Sequence, residues 1–243
     1  MSSTDLIIRK EDLGTNPTSR VPICLVLDCS PSMSGNPEWG AAVAQSNPTP
    51  IEALNDGVEH FFRSLHEDIV AVHAAEVAII AFSGIAQGIA DFQSLSRVDS
   101  TPRLMIETNH GGTSLGTALS LALKKLDERK AEYQEAGVDY FQPWIVLLTD
   151  GIPTDDTHLA IRADLHKRIN SRRLSFFPIG VGQGVDLRVL SDLSPNRPAL
   201  RLQGLKFNEF FEWLSRSVSR TSQSIPGEEV PLDQDGIKGW GSL

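Results

Sequence analysis

Five residues in three separated stretches carry the chemistry this sequence offers. In "LDCSPSMSG", Asp28, Ser30 and Ser32 follow an apolar run in alternation, so three small oxygen-bearing side chains leave the core together. In "GGTSLGTAL", Thr113 follows two glycines that permit a tight turn. In "PWIVLLTDG", Asp150 ends a second apolar run and is followed by Gly151. All five are hard oxygen donors, with no thiolate or imidazole among them. Hydroxyls combined with one or two carboxylates suit a small hard cation with water completing its shell: Mg²⁺, with Mn²⁺ or Ca²⁺ as alternatives. Such an ion, only partly neutralised, would seek a further carboxylate from outside. The plainer readings are that Asp28, Ser30 and Ser32 are a strand end whose Ser or Asp caps the next helix, and that Asp150 begins a turn with Gly151.

For these residues to meet, the elements carrying them must end at one edge. "VPICLVLD" (21–28), "AEVAIIAFSG" (75–84), "PWIVLLTDG" (143–151), "RLSFFPIGVG" (173–182) and "PALRLQG" (198–204) read as buried strands. "IAQGIADF" (85–92) reads as a hairpin partner of the second. Between them lie amphipathic helices over 50–68, 111–133, 154–171, 186–194 and 206–221, the first with Pro50 near its opening turn. Apolar strands alternating with helices predict an α/β fold: a doubly wound, mainly parallel sheet with helices on both faces. In that architecture ligands bind beyond the carboxyl ends of strands, where the winding reverses. Residues 1–20 read as a polar lead-in, 21–221 as the domain, and 222–243 as an acidic tail with an anchor at Ile237 or Trp240.

The 243 residues carry a net charge of −9, which argues against nucleic acid or an anionic membrane as partner. No apolar run reaches the roughly 18 residues of a membrane span, and the amino terminus lacks the basic-then-apolar pattern of a secretion signal. Cys24 and Cys29 lie at odd spacing on one strand, hence on opposite faces, so they are not expected to pair. A cytoplasmic location is the expectation.

"DCSPSMSG", "GGTSLGTAL" and "LLTDG", in that order, resemble the metal-ion-dependent adhesion site of von Willebrand factor A domains, whose pattern is Asp-x-Ser-x-Ser, then a Thr, then an Asp after a strand. Asp28, Ser30, Ser32, Thr113 and Asp150 match it position by position. The resemblance, over roughly residues 20–220 in element order, implies a non-enzymatic module whose divalent cation engages an acidic residue of a protein partner. Asp28 would orient the site, the hydroxyls would be direct ligands, and Asp150 would bind directly or through water. "PIEALNDGV", "GGTSLGTAL" and "FNEFFEWLSRSVS" look most like bacterial TerY-type proteins linked to tellurite resistance and chemical stress. One departure is the added stretch Pro37–Thr49, directly after the first motif, where Glu38 and Trp39 stand beside the expected site.

Competing chemistry is poorly served. A Mg²⁺-dependent phosphohydrolase using Asp28 as nucleophile, in the haloacid-dehalogenase manner, needs a second Asp where Ser30 stands. "GGTSLG" lacks the Gly-Lys-Ser/Thr ending of a phosphate loop, and neither serine sits in a Gly-x-Ser-x-Gly elbow. The six histidines show no ligand spacing, and His110 reads as a solvated loop residue. Asp155 and Asp156 read as acids at a helix start. Phe207, Phe210, Phe211 and Trp213 read as a helix packing face. A structural scaffold with an occluded site is the remaining alternative.

Overall fold

A computed structural model describes residues 13–39, 45–98, 100–106, 112–151, 153, 156–226 and 233–242. β1 (Val21–Asp28) leads through 3-10 turns at Pro31–Ser34 and Pro37–Trp39 to α1 (Pro50–Glu67). The one-turn helix α2 (Ala71–Ala74) precedes the hairpin β2 (Ala75–Phe82) and β3 (Ala86–Ala90). Then follow α3 (Leu115–Ala136), β4 (Trp144–Thr149), α4 (Thr157–Asn170), β5 (Ser175–Val181), α5 (Leu187–Asp192), β6 (Leu200–Leu202) and α6 (Phe207–Ser222). A one-turn helix α7 (Gln234–Ile237) and the short β7 (Gly241–Ser242) close the chain.

The sheet order is β3-β2-β1-β4-β5-β6-β7, with β3 and β7 antiparallel at the edges and the rest parallel. The expected doubly wound α/β fold is present. From β1 the chain winds outward to β3, then crosses back to β4 on the other side of β1. The winding therefore reverses between β1 and β4, the crevice where such sheets bind ligands.

Both faces are covered, which explains why β1, β2 and β4 are apolar almost without interruption and buried throughout. Ile23, Leu25 and Leu27 point into one core layer with α1 and α6, while Cys24 and Val26 point into the other with α3 and α4. Cys24 and Cys29 fall in opposite layers and are free thiols, as the strand alternation requires. α1 starts on a capping box: Thr49 accepts from the Glu52 N–H, and the Glu52 carboxylate accepts from the Thr49 N–H, with Pro50 at the first position. Gly57 lets α6 press close, since a β-carbon there would sit 2.7 Å from Phe211 and 2.9 Å from Phe207.

The amino ends of the strands are fastened by a buried ionic knot. Glu76 accepts from Arg20 (3.1 Å), from two nitrogens of Arg129 (2.6 and 2.7 Å) and from the Tyr133 hydroxyl (2.7 Å). Arg20, read from sequence as lead-in, is thus fully buried, and its backbone bridges to Asp139 and Phe141. At the other terminus, part of the stretch read as tail belongs to the sheet. β7 pairs with β6, and Trp240 is the anchor, 1% exposed, with ring centroids 4.8 Å from Phe210 and 5.3 Å from Trp213. The Trp213 indole donates to the Asp233 carbonyl, fixing where this strap begins.

Removing the Trp240 ring leaves a cavity over α6. Trp240→Ala is expected to destabilise the fold by about 3–5 kcal/mol in urea unfolding. Ile225→Ala, at a side chain 63% exposed, should stay within about 0.5 kcal/mol of wild type. Equal effects would show that the strap contributes nothing to the core.

Candidate functional site

The site forms where β1 and β4 end side by side. Asp28 closes β1 with no exposed surface. Its Oδ1 accepts the Ser30 N–H at 2.9 Å, and its Oδ2 accepts the Thr149 hydroxyl from β4 at 2.5 Å. One carboxylate thus shapes its own loop and ties it to the neighbouring strand. Ser30 caps the 3-10 turn Pro31–Ser34, Pro31 pre-sets its first dihedral, and Met33, fully buried, pins it to the core. Gly35, at φ 76°, ends the turn. This tight turn folds the two serines onto one side, with Ser30 Oγ and Ser32 Oγ 2.9 Å apart. The Ser32 hydroxyl then donates to Asp150 Oδ1 at 2.8 Å.

The third stretch arrives from the β2–β3 side. The Ser114 N–H donates to the Ser83 carbonyl and its hydroxyl to the Gly84 carbonyl, both at 2.7 Å. This places Thr113 over the end of β4. A β-carbon at Gly151 would lie 2.8 Å from Thr113 Oγ1, so the glycine after Asp150 makes room for that hydroxyl. Gly116, the second residue of α3, is equally constrained: a β-carbon would lie 2.1 Å from the Thr157 backbone at the start of α4.

Electrostatically the site is under-compensated. Burial raises the Asp28 carboxyl above its ordinary range, opposed by the hydrogen bonds from Ser30 and Thr149. Asp150 is pushed up to about 7, first by burial and then by the charge of Asp28. Its Oδ2 is buried and has no hydrogen-bond partner. Among the described residues no group of three or more His, Cys, Asp or Glu is placed to hold a metal ion, and this site offers two carboxylates with three hydroxyls. An unpartnered buried carboxylate oxygen facing hydroxyl donors fits a small divalent cation: Ser30, Ser32, Thr113 and Asp150 can hold it while Asp28 orients them.

All five residues singled out in the sequence converge here. Thr149 joins them without having been singled out in the sequence, where a lone threonine at the end of an apolar strand is ordinary. Asp156 stands at the N-cap of α4, as expected of a helix-start acid, while His110 and Asp155 lie outside the described residues. Of the added stretch, Glu38 is exposed and Thr49 caps α1, and the Gln45 N–H donates to the Gly35 carbonyl. Residues 40–44 and the Trp39 side chain lie outside the described set.

A model of the von Willebrand factor type A domain matches residues 23–208. A search of curated proteins found no significant match. Among solved structures, a von Willebrand factor type A protein from Catenulispora acidiphila aligns at 17% identity and TM-score 0.57, covering 83% of this chain and 43% of that one. BatB from Bacteroides thetaiotaomicron aligns at 16% and 0.54, covering 84% of this chain and 100% of that one. Proximal thread matrix protein 1 from the mussel byssus, whose structure has a zinc-occupied MIDAS motif, aligns at 15% and 0.52, covering 83% and 48%. This chain spans less than half the length of the first and the last of these. At such identities the likeness is one of fold.

A buried acid whose folded-state pKa is raised binds a proton that the unfolded chain releases. Its contribution is favourable at low pH and is lost as pH rises through the folded-state value, here about 7 for Asp150. In metal-free buffer, Asp150→Asn removes this liability. The variant should gain on wild type in melting temperature as pH is raised from 5.5 to 8. A constant difference across that range would show that Asp150 carries no such burden.

Proposed function

The chain belongs to the von Willebrand factor type A domain family, and we propose that it is a metal-dependent protein-interaction module. Its cation would be held by Ser30, Ser32, Thr113 and Asp150, oriented by Asp28, and completed by an acidic side chain of a partner. The observation that carries this is the part-buried relay from Ser30 through Ser32 to Asp150 Oδ1, beside the buried Oδ2 of the same carboxylate, which has no hydrogen-bond partner. The bound ion would supply an electrophile for that incoming carboxylate. The chain's own residues set its position: Thr149 and the Ser30 N–H fix Asp28, and the 3-10 turn fixes both serine hydroxyls. Oxygen-only donors favour Mg²⁺ or Mn²⁺ over the zinc recorded in the mussel protein.

Catalysis is disfavoured by the same geometry. Both oxygens of Asp28 accept hydrogen bonds and the residue is wholly buried, so it is badly placed to attack a phosphoryl group. The likeness of three stretches to TerY-type proteins supports a scaffolding role in a bacterial tellurite or chemical-stress system. Two buried free thiols fit a reducing compartment such as the cytosol. Among the described residues no helix is long and apolar enough to cross a membrane. A second reading has one observation in its favour: Ser30, Thr113 and Asp150 are each 4–5% exposed, as in a closed, purely structural site.

Calorimetry and thermal melting with Mg²⁺ and Mn²⁺ decide. A cation bound only by the native state raises stability by about 2.7 kcal/mol at a hundredfold excess over Kd. Wild type should show that rise, growing from pH 6 to 8 as Asp150 loses its proton, and Ser32→Ala and Asp150→Asn should lose it. Identical metal responses in wild type and both variants would place any ion elsewhere, and no response would leave the closed scaffold. Metal-dependent hydrolysis of a generic phosphate ester that Asp28→Asn abolishes would overturn the non-catalytic reading.

A further inference from the structure

Beside the metal motif lies a cleft of about 180 Å³ that the proposed site does not use. Its walls expose polar and apolar surface in equal share, the apolar part from residues that include Phe82, Ile85, Ile89, Leu104 and Ile106. One side is the β2–β3 hairpin. The other is the segment 103–106, which is held to α1 because Asn55 bonds both the N–H (2.7 Å) and the carbonyl (3.0 Å) of Leu104. The cleft adjoins the site through shared backbone. Cys29, in its wall, sits between Asp28 and Ser30, and Ser83, also in its wall, accepts from Ser114, the residue after Thr113. Cleft and site thus share neighbouring residues at the end of β1 and in the approach to α3.

Three features describe what would fill it. The volume is below the roughly 300 Å³ at which small-molecule pockets begin, and suits one bulky apolar side chain. Among the described residues five large apolar side chains are exposed, and two of them, Ile85 (40%) and Met105 (75%), stand in the lining of this cleft. Exposed apolar side chains at the rim of a concave surface mark a contact surface. Arg103, also in the lining, is exposed, in a chain of net charge −9. Its charge reaches Glu52, adding to the Thr49 hydrogen bonds that hold that carboxyl below its ordinary range. A cation at this rim of an acidic protein offsets the general repulsion of an acidic partner where a carboxylate would enter.

We propose that the cleft is the specificity pocket of the metal site: it takes a large aliphatic or aromatic side chain lying within about two positions of the acidic residue in an extended partner segment. The inference rests on the metal-dependent reading above and names the partner's chemistry. The metal supplies the same attraction for any exposed Asp or Glu, and the cleft selects among them by the neighbouring side chain. Arg103 steers the acidic segment, and Met105 and Ile85 close over the apolar group.

The test uses the full chain and fluorescein-labelled hexapeptides with one Asp in a Gly-Ser background, with Leu, Phe or Ser placed one or two positions to either side. Anisotropy is read in Mg²⁺ and in EDTA. In Mg²⁺, a Leu or Phe peptide should bind roughly tenfold or more tightly than its Ser counterpart, from burial of one apolar side chain. Changing the peptide Asp to Asn, or adding EDTA, should remove binding. Met105→Glu should erase the Leu-over-Ser preference and Arg103→Glu should weaken all the Asp peptides alike, both variants, at exposed positions, keeping the wild-type Mg²⁺ melting shift. Equal binding of Leu, Phe and Ser peptides with that shift intact overturns the pocket and leaves the metal reading standing. So does binding of no peptide. Absence of the Mg²⁺ shift in wild type is failure of the metal reading, and it removes the inference with it.

Discussion

Two carboxylates, Asp28 and Asp150, share one dry corner at the ends of adjacent parallel strands, and the surrounding architecture follows from keeping them there. Burying like charges side by side is unfavourable, and each carboxyl responds by holding its proton more tightly. Neutral donors meet most of the demand: a backbone N–H and a threonine hydroxyl for Asp28, a serine hydroxyl for Asp150. Those donors come from the same strand ends and the first turn beyond them, so the sheet itself fixes the pair. The reversal of winding between β1 and β4 leaves this corner free of a crossover, the position where such sheets bind ligands.

The opposite end of the sheet answers the same electrostatic problem differently. Glu76 is as buried as Asp28, yet it is met by two guanidinium groups and a phenol. Losing one partner of such a knot costs about 3–5 kcal/mol, because the other charge is left uncompensated in the interior. The contrast separates roles. Complete pairing at the amino ends serves folding, since it locks α3 and the lead-in to β2. Pairing at the carboxyl ends is incomplete and leaves one buried carboxylate oxygen of Asp150 without a hydrogen bond, the local inconsistency that the proposed binding role would explain.

The sequence made the central strands and their helices legible because each is long, uniformly apolar or strongly amphipathic. β1 and α1 follow their apolar patterns nearly to the residue, and the hairpin of β2 and β3 is visible in the glycine between them. The five donors were readable because three serine and threonine hydroxyls and two acids at strand ends form a pattern that packing alone does not demand. Thr149 was not, since a lone threonine in a strand is ordinary until its hydroxyl is seen on Asp28. The burial of Arg20 is not legible, and Trp240 is legible only as one of two candidate anchors, for another reason. Each is a single residue in a polar stretch whose burial depends on partners far away in sequence, Glu76 for one, Phe210 and Trp213 for the other. Local periodicity holds no information about such contacts.

The placement of the donors on helices has a consequence for what a bound ion would do. Ser30 and Ser32 ride on the turn that packs beside α1, and Gly57 holds α1 hard against α6 on one face of the sheet. Thr113 leads into α3, and Gly116 holds α3 hard against α4 on the other face. Close backbone approaches of this kind permit little sliding within either helix pair, because the interior is packed to near crystal density. The two layers meet the site from opposite sides, joined there through the Ser32–Asp150 hydrogen bond and the contact of Thr113 with Gly151. A cation held by both sets of hydroxyls would bond one layer to the other across the sheet's end. Its affinity is therefore set by the register of two rigid helix pairs, so a change in packing at α6 can reach Ser32 through α1 without passing through solvent.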